Sequence, residues 1–204
     1  MKTKICGVQN TEEAMHAVCY GAWAIGFNFY PDSPRYLDKA QAKSMIHGLP
    51  SQILKVGVMP AIQSNDVVPF RDELGLDLLQ VYEDLDVMPI VKKNMILALA
   101  LHTAADLPKR DVLEQYGYLL IDAPPSKEGL IGGTGRLSDW SLAKQLSTSY
   151  RVILAGGLTP KNVREAVDTV HPFAVDVASG VEFTLGKKSP ALMKEFLNEV
   201  NDVT

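Results

Sequence analysis

Short apolar runs rich in β-branched residues alternate along the chain with longer stretches whose apolar positions recur at helical spacing. The runs occupy residues 3–6, 22–29, 53–58, 76–81, 96–101, 118–121, 152–155 and 173–177. Runs of four to eight apolar residues read as strands buried on both faces, and amphipathic stretches between them read as crossover helices. Helices are predicted from about Thr11, Asp38 and Asn65, and again from about Asp139. Asn10 followed by Glu13 resembles a capping box, and Thr159-Pro160 places Thr at an N-cap and Pro at the first helical position. Eight strand–helix units at ~25 residues each predict an α/β chain folded as a trim (β/α)₈ TIM barrel, near the ~200-residue lower limit of that fold. A doubly wound open sheet is the alternative. Its dinucleotide-binding form needs Gly-x-Gly-x-x-Gly after the first strand, and Cys6-Gly7-Val8 does not supply it.

Composition narrows the picture in four ways. With 204 residues and 47% hydrophobic content, one core is expected, hence a single domain over 1–204. A net charge of −4 without a basic stripe argues against nucleic acid as a partner. No apolar run reaches membrane-spanning length and the first residues show no signal-peptide core, so the expected location is cytoplasmic, away from membrane. Cys6 and Cys19 form no disulfide framework, and four scattered histidines offer no metal site. No cofactor is expected. No long apolar face stands out, which leaves monomer or homodimer open.

In such barrels the chemistry sits where strands end. The strand ends here are Cys6, the 30–36 loop, Pro60, Tyr82, His102, Asp122, Gly156 and Asp176. Two of them end in small residues, Gly156-Gly157 and Ser179-Gly180. Paired turns after strands seven and eight expose backbone N–H groups and suit a phosphate. Either turn alone is equally well an ordinary left-handed turn. Lys4 shares a strand face with Cys6, since strand side chains alternate. If that face points inward, the ammonium group favours a thiolate able to abstract a proton. The alternative is a small core thiol beside an exposed lysine. Arg35, on a loop stiffened by Pro31 and Pro34, suits a carboxylate ligand, or a surface ion pair with Asp38. Asp122 follows four apolar residues, so partial desolvation raises its pKa toward that of a general acid. Gly132-Gly133-Thr134-Gly135 could form a lid loop over substrate. Cys19 and Trp140 read as packing residues, His102 stays between ligand contact and structural residue, and His16, His47 and His171 receive no role.

Several segments, in one order, resemble phosphoribosylanthranilate isomerase. They are Lys4-Ile5-Cys6-Gly7, Gly26-Phe27-Asn28-Phe29-Tyr30-Pro31 with Ser33-Pro34-Arg35-Tyr36, and Leu120-Ile121-Asp122. Gly132-Gly133-Thr134-Gly135 with Asp139-Trp140, Leu154-Ala155-Gly156-Gly157-Leu158 and Val175-Asp176-Val177-Ala178-Ser179-Gly180-Val181-Glu182 complete the set. The resemblance implies a cofactor-free Amadori rearrangement of the small phosphosugar N-(5-phosphoribosyl)anthranilate, in tryptophan biosynthesis. It implies Asp122 as general acid, Cys6 as general base and Arg35 at the anthranilate carboxylate. Lys4, Tyr82 and Asp176 would contact substrate, and Gly156, Gly157, Ser179 and Gly180 would bind phosphate. Two segments depart from the family pattern. Gln80-Val81-Tyr82-Glu83 stands for Gln-Leu-His-Gly, where tyrosine can donate and stack but cannot carry imidazolium charge. Leu185-Gly186-Lys187-Lys188-Ser189 stands for Pro-Gly-x-Lys-Asp, with Ser189 expected to cap the last helix. The sister isomerase of histidine biosynthesis shares the chemistry, but Cys6 and a single phosphate clamp count against it. A barrel that binds phosphate without catalysis is the third reading, opposed by the presence of both Cys6 and Asp122.

Overall fold

The computed structural model describes residues 1–59, 62–101, 103–124 and 136–202. Eight parallel strands close on themselves, β1 to β8 in chain order, because the last strand pairs with the first. They are β1 (Lys2–Cys6), β2 (Ala24–Asn28), β3 (Leu54–Met59), β4 (Leu78–Val81), β5 (Met95–Leu99), β6 (Tyr118–Ile121), β7 (Val152–Leu154) and β8 (Ala174–Val177). All eight predicted runs therefore hold strands, most of them shorter than the run and three, β1, β3 and β5, reaching one residue beyond it at one end. The crossovers are α1 (Thr11–Cys19), α2 (Lys39–His47), α3 (Val67–Leu74), α4 (Pro89–Lys92), α5 (Arg110–Leu113), α6 (Trp140–Ser147) and α7 (Val163–Val170). A two-stranded hairpin, β9 (Glu182–Thr184) and β10 (Lys187–Lys188), then precedes α8 (Pro190–Asn201). None of these helices is long and apolar enough to cross a membrane.

Alternation divides the side chains into two cores. Residues such as Ile5, Ile25, Leu79 and Leu119 pack outward against the helices, where α7 and α8 present Val163, Val167, Phe196 and Val200. Ala24, Val56, Leu78, Ile96, Leu120, Ile153 and Ala174 fill the barrel interior. At the N-terminal ends of the strands, Trp23, Tyr118 and Phe173 pack edge to face or tilted, and Lys2 and Arg151 lie over their rings. That aromatic and cationic cluster fills the N-terminal end of the barrel.

Local signals explain the helix starts. Asn10 accepts from the Glu13 N–H, Asp38 from Ala40 and Gln41, Asp139 from Leu142 and Ser189 from Leu192. The first cap differs from a capping box in one bond, since the Glu13 carboxylate accepts from the N–H of Gln9 and not of Asn10. The Thr159 cap is a correction. Asn162 sits at the N-cap of α7, which begins at Val163, and its side chain accepts from the Thr159 N–H instead. Cys19 is also corrected, because it lies exposed on α1 and not in the packing layer.

Candidate functional site

At the C-terminal end of the barrel a cavity of about 390 Å³ is lined by Cys6 from β1, the 28–35 segment after β2, Gln80 and Tyr82 at the end of β4, and Asp122 after β6. Gly156, Gly157, Asp176, Ser179 and Gly180 complete the wall. Cys6 and Asp122, distant in sequence, thus face one space together with both glycine turns.

Beneath the cavity runs a buried polar layer. Lys4 is fully buried, and its Nζ donates to Asp176 Oδ1 at 2.8 Å and to Gln80 Oε1 at 3.1 Å. Burial works against the ammonium charge, yet the Asp176 and Cys6 neighbours outweigh it and raise the lysine pKa, so Lys4 stays protonated. Expected to touch substrate, Lys4 instead lies outside the cavity lining and braces Asp176 from below. A second correction concerns Cys6. Burial pushes its thiol above the ordinary value more strongly than Lys4 pulls it down, and Asp176 adds to the rise. The resting group is therefore a thiol. Space for the sulfur comes from Gly26 on the neighbouring strand, where a methyl group would lie 2.8 Å from Cys6 Sγ.

Asp122 is 8% exposed, and burial raises its pKa to about 6, against the opposing pull of the Ala123 N–H that its own carboxylate accepts at 2.7 Å. Asp176 across the cavity raises it further. A carboxyl group with that pKa is half protonated near pH 6 and keeps roughly a tenth of its protons at pH 7, enough to act as a general acid.

Arg35 does not pair with Asp38, whose carboxylate caps α2. It forms a two-pronged pair with Glu182, Nε to Oε1 at 2.7 Å and Nη2 to Oε2 at 2.9 Å. Lys188 donates to the same carboxylate at 2.7 Å and to the Ala178 carbonyl at 2.9 Å. These two cations hold Glu182 below its ordinary pKa despite burial. Two cations share one carboxylate here, and Arg35, the member of the cluster that lines the cavity, is a favourable neighbour for an anionic ligand. Gly7, at φ +74°, leaves the room across which the Arg35 side chain lies. Glu182 and Lys188 were not singled out by the sequence reading. Both lie in segments that the resemblance covers, Glu182 at the end of 175–182 and Lys188 in 185–189, but neither segment shows that they pair.

The glycine turns are built for close approach. Gly156 and Gly157 adopt φ +81° and +64°, and a methyl group on either would meet backbone atoms at 2.6 Å. Asn162 fastens this turn by donating to the Gly157 carbonyl at 3.0 Å. Ser179 and Gly180 begin a single 3₁₀ turn, whose first amides lack intrahelical acceptors and can face an anion. A methyl group on Gly180 would overlap the Leu158 carbonyl. Gly180→Ala is therefore expected to push the two turns apart and raise the KM of a phosphorylated substrate by ~10–100-fold, the range of one or two charge-assisted hydrogen bonds. Steady-state kinetics checks this, with an unchanged KM as the contrary result.

Tyr82 is half-buried, lines the cavity and accepts a hydrogen bond from Gln80 Nε2 at 3.1 Å. Glu83 is exposed and does not line the cavity, so its charge stays away from a ligand. Trp140 is partly buried against the core, as expected of a packing residue. Pro60, His102 and the proposed lid residues Gly132, Gly133, Thr134 and Gly135 lie outside the described residues. Among the described residues no group of three or more His, Cys, Asp or Glu side chains is placed to hold a metal ion.

Comparison with known proteins agrees with this geometry. The family model described as N-(5'phosphoribosyl)anthranilate (PRA) isomerase matches residues 3–199. The N-(5'-phosphoribosyl)anthranilate isomerase of Hahella chejuensis is 40% identical over 207 residues, covering 98% of this chain and 94% of that protein. That of Rubrobacter xylanophilus is 35% identical over 202 residues, covering 97% of each. Among solved structures, the isomerase of Thermotoga maritima superposes with a TM-score of 0.83 at 32% identity over 99% of each chain. An isomerase bound to reduced 1-(o-carboxyphenylamino)-1-deoxyribulose 5-phosphate superposes with a TM-score of 0.81 at 30% identity over 99% of each chain. Monomers generated from the dimeric Thermotoga maritima enzyme give 0.80 at 30% over 98% of each. By the match of its whole barrel, this chain is an enzyme of the N-(5'-phosphoribosyl)anthranilate isomerase family of tryptophan biosynthesis.

Proposed function

We propose that the chain isomerises N-(5-phosphoribosyl)anthranilate to 1-(2-carboxyphenylamino)-1-deoxyribulose 5-phosphate, with Asp122 as general acid and Cys6 as general base. The observation that carries this reading is that a carboxyl group raised to about 6 and a thiol line one cavity with two glycine turns. The substrate phosphate sits on the amides of Gly157, Ser179 and Gly180, with Gly156 shaping the turn. Arg35, held by Glu182, takes the anthranilate carboxylate on the edge of its guanidinium that faces the cavity. Asp176 accepts from the ribose hydroxyls and Tyr82 lies over the middle of the ligand.

Proton movement then follows in order. Asp122 gives its proton to the ring oxygen, the bond from that oxygen to C1 breaks, and the anilino nitrogen supplies the electron pair that forms the C1–N iminium. Cys6, as thiolate, takes the proton from C2, and those electrons neutralise the iminium to give an enolamine. The enol O–H is lost as C1 gains a proton, which leaves the C2 ketone. No electron leaves the substrate, so acid and base suffice.

This order makes a labelling prediction. Reaction in D₂O should place solvent deuterium at C1 of the product, as read by mass spectrometry and proton NMR. A product entirely free of label would point to internal hydride transfer and reject the acid–base course. For the carboxylate contact, Arg35→Lys should weaken binding of a reduced product analogue by ~10–100-fold, because a point charge replaces a planar fork. The same variant should bind an analogue lacking the carboxylate as the parent does. Equal losses for both ligands would reject the contact.

The cytoplasm is the location proposed for such a chain, acting on a free small molecule without nucleic acid or membrane, as a monomer or homodimer. One domain spanning 1–204 is proposed to contain every residue the reaction uses.

A further inference from the structure

We infer that Gln80 is a positioning residue for the reaction, holding Tyr82 with its phenolic proton turned into the cavity so that Tyr82 donates a hydrogen bond to the bound ligand. This rests on the function proposed above and deepens it. The reasoning is one of hydrogen-bond polarity. A lysine ammonium has three donors and no acceptor. Lys4 Nζ lies 3.1 Å from Gln80 Oε1 and 2.8 Å from Asp176 Oδ1, so it is the amide oxygen that faces Lys4. The amide nitrogen must then face the other way, where Tyr82 Oη lies 3.1 Å from Nε2. An amide NH₂ group only donates, so the phenol oxygen accepts and its own proton has to point elsewhere.

Burial keeps this order from being scrambled. Lys4 is 0% and Gln80 2% exposed, so water does not compete for either. Among the described residues the Tyr82 hydroxyl has no acceptor of its own, and Tyr82 shares the cavity with Cys6, Asp122 and Asp176. The free direction is toward the ligand, which is rich in oxygen acceptors. Burial and the nearby carboxylates of Asp122 and Asp176 push the phenol pKa well above its ordinary value. Tyr82 therefore remains a neutral donor across the working pH range, whereas an imidazole at that position would change charge near neutrality. The chain Asp176–Lys4–Gln80–Tyr82 thus links β8, β1 and β4 across the barrel and transmits the fixed orientation of a carboxylate at one wall to a hydroxyl at another.

The test is Gln80→Glu. A carboxylate has nearly the same shape but accepts on both oxygens, so it keeps the Lys4 bond and draws the Tyr82 proton inward, away from the ligand. Loss of one neutral donor should lower kcat/KM roughly tenfold. Tyr82→Phe should lose about as much, and the double variant should lose no more than either alone, since both changes remove one donor. Losses that multiply, or an unchanged Gln80→Glu enzyme, would overturn the inference. A second readout needs no substrate. In free protein labelled with ¹³Cζ-tyrosine, the Tyr82 resonance should move in Gln80→Glu toward that of a phenol donating to carboxylate. An unmoved resonance overturns the assigned polarity whatever the kinetics. A parent chain that does not turn over phosphoribosylanthranilate would sink the functional reading, while the resonance still decides the orientation of Tyr82.

Discussion

Asp122→Asn is expected to lower turnover by ~10²–10⁴, the range for loss of a general acid, while leaving the affinity for a reduced product analogue near that of the parent. The amide keeps the shape of the side chain but has no acidic proton to give the ring oxygen. The pH dependence carries the sharper signature. The proposed mechanism requires Asp122 protonated and Cys6 ionised, and burial holds the first group at about 6 and the second above the ordinary thiol value. Below about pH 6 the acid is fully protonated and the thiolate fraction falls tenfold for each pH unit, so kcat/KM falls. Between the two values the rise in thiolate and the fall in protonated acid cancel, giving a plateau. Above the thiol value the rate falls again. With asparagine at 122 the residual rate should lose its break near pH 6 and keep rising to the thiol value. A substrate phosphate titrates near the same pH, so the comparison of variant with parent, and not the parent profile alone, assigns the break.

The same substitution should make the protein more stable, and the sign follows from linkage. Asp122 is raised from 3.8 unfolded to about 6 folded. Its contribution to stability is complete below the unfolded value and is lost as pH rises through the folded one. Above pH 6 a buried carboxylate is being held against its tendency to be hydrated, at ~3 kcal/mol for that difference in pKa. Asparagine removes the charge. Denaturant unfolding should therefore show the variant gaining on the parent from about pH 4 to about pH 7, with an advantage of ~1–3 kcal/mol at the upper end. Equal pH dependence in both proteins would mean that Asp122 is not held as a strained acid.

Cys6→Ala is expected to cost turnover by a comparable ~10²–10⁴, for loss of a general base. The proposal gives the C2 proton to its sulfur, because Lys4 below it is protonated and donates to Gln80 and Asp176. Ring opening does not need the thiolate, and that separates the two roles. In the Cys6 variant, solvent deuterium should stop entering C1 of the ligand, since the enolamine never forms. The Asp122 variant blocks the preceding step and should accumulate nothing at all. Cys6→Ala with near-parent turnover would remove the thiol from the mechanism. Gly26 offers a check from the other side, because Gly26→Ala would press on the sulfur and should depress turnover through position alone.

Much of this architecture is readable along the chain, for definite physical reasons. Strands buried on both faces produce unbroken apolar runs, and trim crossovers leave little ambiguity between them, so all eight strands of the barrel lie within or beside the predicted runs. Strand-end position then picks out Cys6, Asp122, Tyr82 and the glycine turns, all of which line the cavity. The resemblance to a family supplies their roles, which composition and spacing do not. What stays hidden depends on distant partners. Arg35 finds Glu182 at a separation of 147 residues, while a local reading offers only Asp38. Lys188 and Glu13 are charged residues, expected at the surface, and both are buried through one another and their neighbours. Alternation correctly puts Lys4 and Cys6 on one face, but the pairing of Lys4 with Asp176 exists only because β1 meets β8. The direction of the Cys6 shift depends on burial, which outweighs a neighbouring charge that sequence makes visible.

The most direct measurement is a stopped-time course of anthranilate fluorescence with purified protein and freshly formed N-(5-phosphoribosyl)anthranilate, without added metal or cofactor. An acid and a base converging over an anchored phosphosugar predict loss of fluorescence at a rate proportional to protein concentration, abolished together by the Asp122 and Cys6 variants. Fluorescence that decays no faster with the protein than without it would contradict the assignment.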